Sequence, residues 1–293
     1  MQVAFHMGAS FTDEDALLRS VRQSSEALHA LGIEVPAPAG YRTLIRDALR
    51  IAENKALAAN AHDVFLDALA TGEDTRRLVL SNHNFIAIPR RIFADGTFYG
   101  QLEAKLQGVQ QLFASDRLEL FLAVRHPAAF LSAAWEKAEA ASLSDFLNGA
   151  HPLDIEWHTL VARIRAAAPE VGLTVWCHED LPLVWEEVLT AMTGISHPSQ
   201  RHSALAFLSN LITPEGLTAV EAVLSDEPEM SLDAFQRLCD SALSDFARPQ
   251  ALSQQITLPG ISQCILAEMD RGYQDDLDQI AAMPGVRYIA PAY

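Results

Sequence analysis

Four groups of polar side chains each follow a short apolar run of the sequence. They are His6 to Thr12, Asn82 to Asn84, Arg125 to His126, and His178 to Asp180. An imidazole exchanges a proton near neutral pH, and a guanidinium is a permanent cation that binds carboxylate or phosphate. If the apolar runs are parallel strands, their carboxyl ends share one edge of a sheet, where ligands bind. We therefore expect the four groups to meet at that edge.

The first group suits an anion bound at the start of a helix. Its candidate ligand-binding residues are His6, Gly8, Ala9, Ser10 and Thr12. Backbone amides and hydroxyls in such a loop bind anions at a helix N-terminus. A phosphate loop also needs a lysine, whereas this stretch carries Phe11 and the carboxylates of residues 13–15, which would repel phosphate. Two interpretations stay open: an acidic helix N-terminus without a ligand, or a degenerate nucleotide site.

The second and third groups supply a candidate base and a candidate cation. His83 stands between two asparagines and is a possible proton acceptor; the alternative is a histidine hydrogen-bonded for structural reasons. Arg125 is a fixed cation, and Ser132 reaches the same region from the following helix. The alternative is that Arg125 pairs with one of the many acids and Ser132 caps a carbonyl.

The fourth group and the cysteines do not indicate a metal. Consecutive residues in one turn rarely converge on one ion, so we expect residues 178–180 to cap the helix that follows, and no metal to bind. The three cysteines, Cys177, Cys239 and Cys264, lie far apart in the sequence and are expected to be reduced thiols. The chain also lacks a signal-peptide pattern and an apolar run of roughly 20 residues, so we expect a cytoplasmic protein that does not cross a membrane.

Composition limits the partners. The net charge of −17 and the pI of 4.9 argue against a surface that grips nucleic acid or an anionic membrane. A small-molecule or glycan partner is compatible with this charge, and the oligomeric state is left open.

Apolar runs predict strands at residues 2–5, 76–81, 118–124 and 173–176, with a possible last strand at 285–289. Helical patterns between them predict βαβ units. We expect an α/β fold with three layers, a parallel sheet of about four or five strands, and one domain over residues 1–293. Residues 198–283 form its helical C-terminal subregion. A helix is expected over residues 13–31 with Thr12 as N-cap, an extended connection over 33–41, and helix over 42–69.

Together these stretches resemble the bacterial sulfotransferase-like branch of the P-loop superfamily. The opening loop of that family reads approximately His-Ile-Gly-x-His-Lys-Thr-Gly-Thr-Thr-x-Leu, and residues 6–17 align with it without a gap. His6, Gly8, Thr12 and Leu17 match. The resemblance continues through Tyr41-Arg42, residues 80–85, residues 89–93, residues 124–127, residues 179–181 and residues 283–286. It implies a P-loop-type fold.

The resemblance also implies a donor, 3′-phosphoadenosine 5′-phosphosulfate, and a reaction, sulfuryl transfer to a hydroxyl or amine. By this resemblance Arg125 and Ser132 hold the 3′-phosphate, the loop from Gly8 to Thr12 holds the 5′ side, and His83 takes the acceptor proton. Several positions depart from the family. Phe11 replaces the lysine, residues 13–15 replace Gly-Thr-Thr, position 133 is alanine where a serine is usual, and relatives often have an acid in place of His83.

Two functions therefore stay open. One is a sulfotransferase, in which His6, Arg42, Arg90 or Arg91 compensates for the missing lysine. The other is a non-catalytic binding or interaction module that keeps the fold but has lost donor binding. A kinase or nucleotide hydrolase ranks below both, because no Gly-Lys-Ser/Thr sequence is present to hold phosphate and Mg²⁺.

Overall fold

The central sheet contains six parallel strands. A computed structural model describes residues 1–69, 71–72, 74–252 and 256–292. Its strands are β1 (Gln2–His6), β2 (Ile33–Glu34), β3 (Arg77–Ser81), β4 (Arg117–Val124), β5 (Gly172–Cys177) and β6 (Val286–Ile289). Their order across the sheet is β2-β3-β1-β4-β5-β6. The four main predicted strands and the possible last one are confirmed, and β2 adds a strand within the segment expected to be an extended connection.

Helices cover both faces of this sheet. On one face lie α3 (Pro38–Ala52), α4 (Ala61–Ala68), α5 (Leu102–Leu112), α6 (Pro127–Ala138), α7 (Leu143–Leu147), α8 (Trp157–Ala167) and α14 (Gln263–Ala281). On the other lie α1 (Ala16–Gln23), α2 (Ser25–His29), α9 (Leu181–Thr193), α10 (Pro198–Leu208), α11 (Pro214–Asp226) and α12 (Leu232–Phe246). The short helix α13 (Pro249–Leu252) precedes α14. The architecture is a three-layer α/β fold, as predicted.

Strand β1 shows why the sheet is buried on both faces. Val3 and Phe5 belong to the core on one face, Ala4 belongs to the core on the other, and all three are fully buried. A strand without a polar face must be covered twice, so helices on both sides are required. Strands β3 and β4 flank β1 in parallel, with His6 opposite both Ser81 and Phe121. The carboxyl ends of three strands therefore meet where the first polar group begins.

The helix expected to start after Thr12 starts later. Thr12 is not an N-cap, because its hydroxyl donates to the carbonyl oxygen of Ala9 at 2.7 Å. Glu14 and Asp15 have φ angles of 46° and 67°, which lie outside the helical region. Helix α1 begins only at Ala16, and a break at Ser24 separates it from α2. The three carboxylates thus precede the helix instead of forming its first turn.

Two other helical predictions need correction at their ends. Helix α3 begins at Pro38, inside the segment expected to be extended, because proline suits the first turn of a helix. It ends at Ala52, so the helix expected over residues 42–69 is two helices, α3 and α4. Among the described residues of 198–283 the elements are helices α10 to α14, and Pro214 and Pro249 each begin one of them. Among the described residues no helix combines the length and apolar character that a membrane span requires.

Candidate functional site

The first loop, residues 7–15, joins β1 to α1 and continues to pair with β4. The Met7 amide donates to the Phe121 carbonyl at 2.9 Å, and the Ala9 amide donates to the Ala123 carbonyl at 3.0 Å. The Ala9 amide, predicted to bind an anion, is therefore engaged by the sheet. Gly8 has a φ of 106°, and a Cβ there would lie 2.7 Å from the His83 carbonyl oxygen. Only glycine fits at this position of the loop, where the backbone packs against the segment that follows β3.

Asp13 places a carboxylate at the start of α1. Its Oδ2 accepts a hydrogen bond from the Leu17 amide at 2.9 Å, and the residue is 7 % exposed. Its Oδ1 has no hydrogen-bond partner among the described residues. The free amides of a helix N-terminus carry partial positive charge and attract anions. The chain thus supplies its own anion at the position where a phosphate would bind in a degenerate nucleotide site, one of the two interpretations that the sequence left open.

Three further side chains lie beneath the first loop with Asp13. His6 is fully buried; its Nδ1 lies 3.0 Å from Ser81 Oγ, and its ring centroid lies 5.5 Å from that of Trp176. Within the described part of the chain, His6 Nε2, Trp176 Nε1 and His178 Nδ1 are buried without partners. We call His6, Asp13, Trp176 and His178 the underside group. Since His6 is covered by the loop, it does not reach a ligand at the surface.

Burial sets the protonation of the underside histidines. Burial lowers the pKa of His6, and the Asp13 carboxylate opposes that shift without reversing it. Burial likewise lowers the pKa of His178, against the opposing charge of Glu179. Desolvation penalises a charged imidazole, so both rings are neutral near pH 7. The Asp13 carboxylate therefore has no cationic partner in the underside group.

On the outer side of the loop, Arg42, Asp15 and His83 form one network. The Arg42 guanidinium binds the Asp15 carboxylate through two hydrogen bonds of 2.5 and 3.0 Å, and its Nε donates to the Ser81 carbonyl at 2.9 Å. His83 Nδ1 lies 3.0 Å from Asp15 Oδ1. A carboxylate only accepts, so His83 donates its Nδ1–H to Asp15, and Nε2 is its second ring nitrogen outside this bond. With Ser10, these three residues are called the cleft group.

The pKa of Asp15 follows from this network. Burial by itself would raise the pKa, but the hydrogen bonds from His83 and Arg42 outweigh burial and hold the pKa well below its usual range. Burial tends to lower the pKa of Arg42, and the bond to Asp15 raises it overall. The pair is therefore ionised at neutral pH, and it fixes the orientation of the His83 ring.

The cleft group borders an open cleft of about 610 Å³. The cleft is lined by Ser10, Phe11, Glu14, His83, Asn84 and Pro89 and, from α6, by Ala133, Glu136 and Lys137. The Ser10 hydroxyl lies 3.0 Å from the His83 carbonyl oxygen and 3.1 Å from Asn84 Oδ1. Of the predicted site residues, His83 and Ser10 therefore do come together on one surface.

Arg125 and Ser132 lie elsewhere. The Arg125 guanidinium donates to the Phe11 carbonyl oxygen, and burial lowers its pKa against the opposing charges of Glu179 and Glu14. The Ser132 hydroxyl accepts a hydrogen bond from the Thr257 amide at 2.8 Å. Neither residue lines the cleft. Ser132 is 5 % exposed and is bonded to a C-terminal segment 125 residues away, a contact that the sequence did not indicate.

The fourth polar group is also used by the fold. The Glu179 carboxylate accepts hydrogen bonds from the His126 amide at 3.0 Å and from the Tyr273 hydroxyl at 2.8 Å. Asp180 precedes α9 but makes no side-chain cap, so the predicted capping role is wrong. Burial raises the pKa of the Cys177 thiol, which keeps it protonated and unreactive. Among the described residues no group of three or more His, Cys, Asp or Glu side chains is arranged to hold a metal.

The network partners of His83 were the main omission of the sequence analysis. Arg42 was one of four candidate replacements for the missing lysine, and it does reach the first loop, but it binds Asp15. Arg90 instead pairs with Glu139 at 2.8 Å. The only sequence signal was the position of Arg42 within the resemblance, because its partner Asp15 lies 27 residues away.

No family model, curated protein or solved structure matches this chain. The roles of the site residues therefore follow from geometry and chemistry. Those two sources indicate an underside group that is closed to ligands and a cleft group that is open to them.

Proposed function

We propose that this chain is a small-molecule-binding protein with a sulfotransferase-like fold that no longer binds the nucleotide sulfate donor. The observation that carries the proposal is the Asp13 carboxylate at the N-terminus of α1. It takes the hydrogen bond that a donor phosphate would need. His6 and His178 of the underside group are neutral, so no cation there offsets the Asp13 carboxylate when a donor phosphate approaches.

The size of the repulsion decides against donor binding. Two unit charges 4 Å apart at an effective dielectric constant of 20 interact by about 4 kcal/mol. A phosphate beside Asp13 would thus lose roughly a thousandfold in affinity. The other donor contacts implied by the resemblance are also engaged within the chain: Arg125 binds the Phe11 carbonyl and Ser132 binds the Thr257 backbone.

The cleft group supports the binding half of the proposal. A ligand in the cleft meets the His83 imidazole and the Asn84 amide beside the ring of Phe11, whereas the Ser10 hydroxyl is already bonded to both residues and Ser10 is only 1 % exposed. The Phe11 ring is held by an edge contact with Phe130 at a centroid distance of 6.0 Å. An aromatic wall with a few fixed polar groups is the composition of small-molecule sites. A ligand with hydroxyl or amine groups fits these partners.

The test is a calorimetric titration with 3′-phosphoadenosine 5′-phosphate, the product form of the donor. A ligand that binds only the native state must raise Tm. Since we propose that donor binding is lost, we expect no heat of binding and no rise in Tm at millimolar concentration. An Arg125→Met variant is the control. Stabilisation of the wild type that disappears in this variant would overturn the proposal.

The second candidate is sulfuryl transfer, which the hydrogen bond between His83 and Asp15 favours. In this reaction the acceptor oxygen forms a bond to sulfur as the bond from sulfur to the 5′-phosphate oxygen breaks. His83 Nε2 takes the acceptor proton, and 3′-phosphoadenosine 5′-phosphate leaves with the electron pair of the broken bond. Asp15 and Arg42 would hold the ring in the required orientation.

Turnover separates the two candidates. Release of 3′-phosphoadenosine 5′-phosphate from the sulfated donor is measured with a mixture of phenolic and amine acceptors. The binding proposal predicts no release above the rate without protein. Acceptor-dependent release that falls by 100-fold or more in His83→Gln would instead establish the transferase, since a general base contributes roughly 10²–10⁴ in rate.

A further inference from the structure

Helices α3 and α4 and the end of α5 enclose an apolar pocket of about 480 Å³. Phe65 and Leu112 form its base and are almost fully buried. Ile51 and Val64 line it and remain 41 % and 55 % exposed, although both are large apolar side chains. Its volume lies in the range of small-molecule sites, which are mostly apolar with a few polar groups. It shares no lining residue with the cleft beside His83.

Two charged residues line this pocket. The Asp47 carboxylate lies 3.4 Å from Arg46 Nε on the same helix. Lys55 follows the end of α3 and forms no ion pair with any described residue. Lys55 is exposed, whereas the pocket-lining Asp47 already lies beside Arg46. The pocket therefore combines an apolar interior with one uncompensated cation.

We propose that this pocket binds a medium-chain monocarboxylate, with the alkyl chain inside and the carboxylate paired with Lys55. The apolar lining favours the chain, because each methylene removed from water stabilises the complex. The ammonium group of Lys55 selects an anionic head over a neutral one. The occupant covers Ile51 and Val64, which accounts for two large apolar side chains at the surface.

Chain length gives the first measurement. Hexanoate, octanoate and decanoate are titrated into the full chain below their micelle-forming concentrations and followed by calorimetry. Affinity is expected to rise about fourfold per methylene until the pocket is filled. One site per chain is expected, and decanol, which has no charge, is expected to bind more weakly than decanoate.

Charge gives the second measurement. Lys55→Met keeps the length of the side chain but removes its charge, and it should reduce decanoate affinity at least fivefold without changing decanol affinity. Lys55→Arg should retain decanoate binding. Arg50→Met is the matched control, because Arg50 is an exposed cation of α3 that does not line the pocket, and this variant should bind like the wild type.

Three results would overturn the proposal. One is the absence of saturable binding by any of the carboxylates in a chain that unfolds cooperatively. Another is equal decanoate affinity in the wild type and in Lys55→Met. The third is a wild-type dimer that Val64→Glu converts to monomer, which would mean that a second copy of the chain covers these apolar side chains.

Discussion

The two sides of the first loop differ in how their polar side chains are satisfied. In the cleft group, Arg42, Asp15 and His83 bind one another directly and keep partial contact with solvent. In the underside group, His6 and Asp13 are buried, and each has a polar atom without a hydrogen-bond partner. Along the sequence, Asp13 of the underside group and Asp15 of the cleft group are only two residues apart.

This difference indicates which side can receive a ligand. A buried polar atom without a partner costs about 1–3 kcal/mol, so the underside group lowers stability. The loop that covers this group is tied to β4 by backbone hydrogen bonds. The cleft group is already oriented by its own ion pair, and a ligand meets it without rearrangement of the loop. Chemistry that requires access therefore belongs to the cleft group.

The largest predicted effect comes from adding a side chain at Gly8, where the first loop packs against His83. Gly8→Ala should lower the free energy of unfolding by about 3 kcal/mol, because the new Cβ would lie 2.7 Å from the His83 carbonyl at a φ of 106°. Urea unfolding checks this value. Both the loop and the cleft group should be disturbed, since Gly8 belongs to the loop and packs against the His83 carbonyl.

The matched control is Gly149→Ala. Gly149 also has a positive φ, 94°, but nothing lies within 4 Å of its expected Cβ. Its substitution should cost about 1 kcal/mol from backbone conformation alone. Equal losses in the two variants would mean that the contact between Gly8 and His83 is not tight.

The next effect isolates the cleft group. Asp15→Asn should lower the free energy of unfolding by about 2 kcal/mol at pH 7, because the charge on a bidentate pair is lost. The pKa of Asp15 is depressed in the folded chain, so its stabilisation is complete above about pH 5, begins to fall near pH 4 and is lost progressively towards the much lower pKa of the folded state. Urea unfolding at pH 7, 4.5 and 3.5 follows this loss.

The pH dependence of the stability difference between the wild type and Asp15→Asn tests the charge of Asp15. The gap between the wild type and Asp15→Asn should narrow as pH falls through the acidic range. A difference that does not narrow at all between pH 7 and 3.5 would mean that folding does not lower the pKa of Asp15. Asp47→Asn, which changes a half-exposed carboxylate 3.4 Å from Arg46, is the control and should change stability by less than about 0.5 kcal/mol.

The sheet could be predicted from the sequence, whereas the two sides of the loop could not. Strands β1, β3, β4 and β5 are continuous apolar runs, and such runs mark buried parallel strands. The start of α1 was misplaced because Thr12 bonds back to Ala9, which is a local alternative to capping. That alternative depends on the three-dimensional path of the loop.

The site was only partly predictable for a related reason. Strand ends are visible in sequence, so His83 and Ser10 were correctly expected at one edge of the sheet. The partners of Arg42 and Ser132 lie 27 and 125 residues away, and no local pattern encodes such pairs. Arg125 follows a strand as expected, yet it turns to the Phe11 carbonyl.

The smallest effect isolates the underside group. Burial lowers the pKa of His6, so the folded chain binds fewer protons than the unfolded chain below about pH 6.5. The free energy of unfolding therefore decreases as pH decreases below that value. His6→Asn should remove about 1 kcal/mol of the stability difference between pH 7.5 and 5.5, as measured by urea unfolding. His178→Asn should remove a second share. If the His6→Asn variant keeps the wild-type pH slope, His6 titrates normally and is not sealed.

The difference between the two sides is tested most directly by the reactivity of their histidines. Diethyl pyrocarbonate modifies accessible imidazoles, and mass spectrometry of peptides assigns a rate to each of the ten histidines in one experiment. The His83 side chain is 25 % exposed, whereas His6 is fully buried. We predict modification of His83 at least 100-fold faster than that of His6 in the folded chain, and equal rates after unfolding in urea. Equal rates in the folded chain would contradict the account.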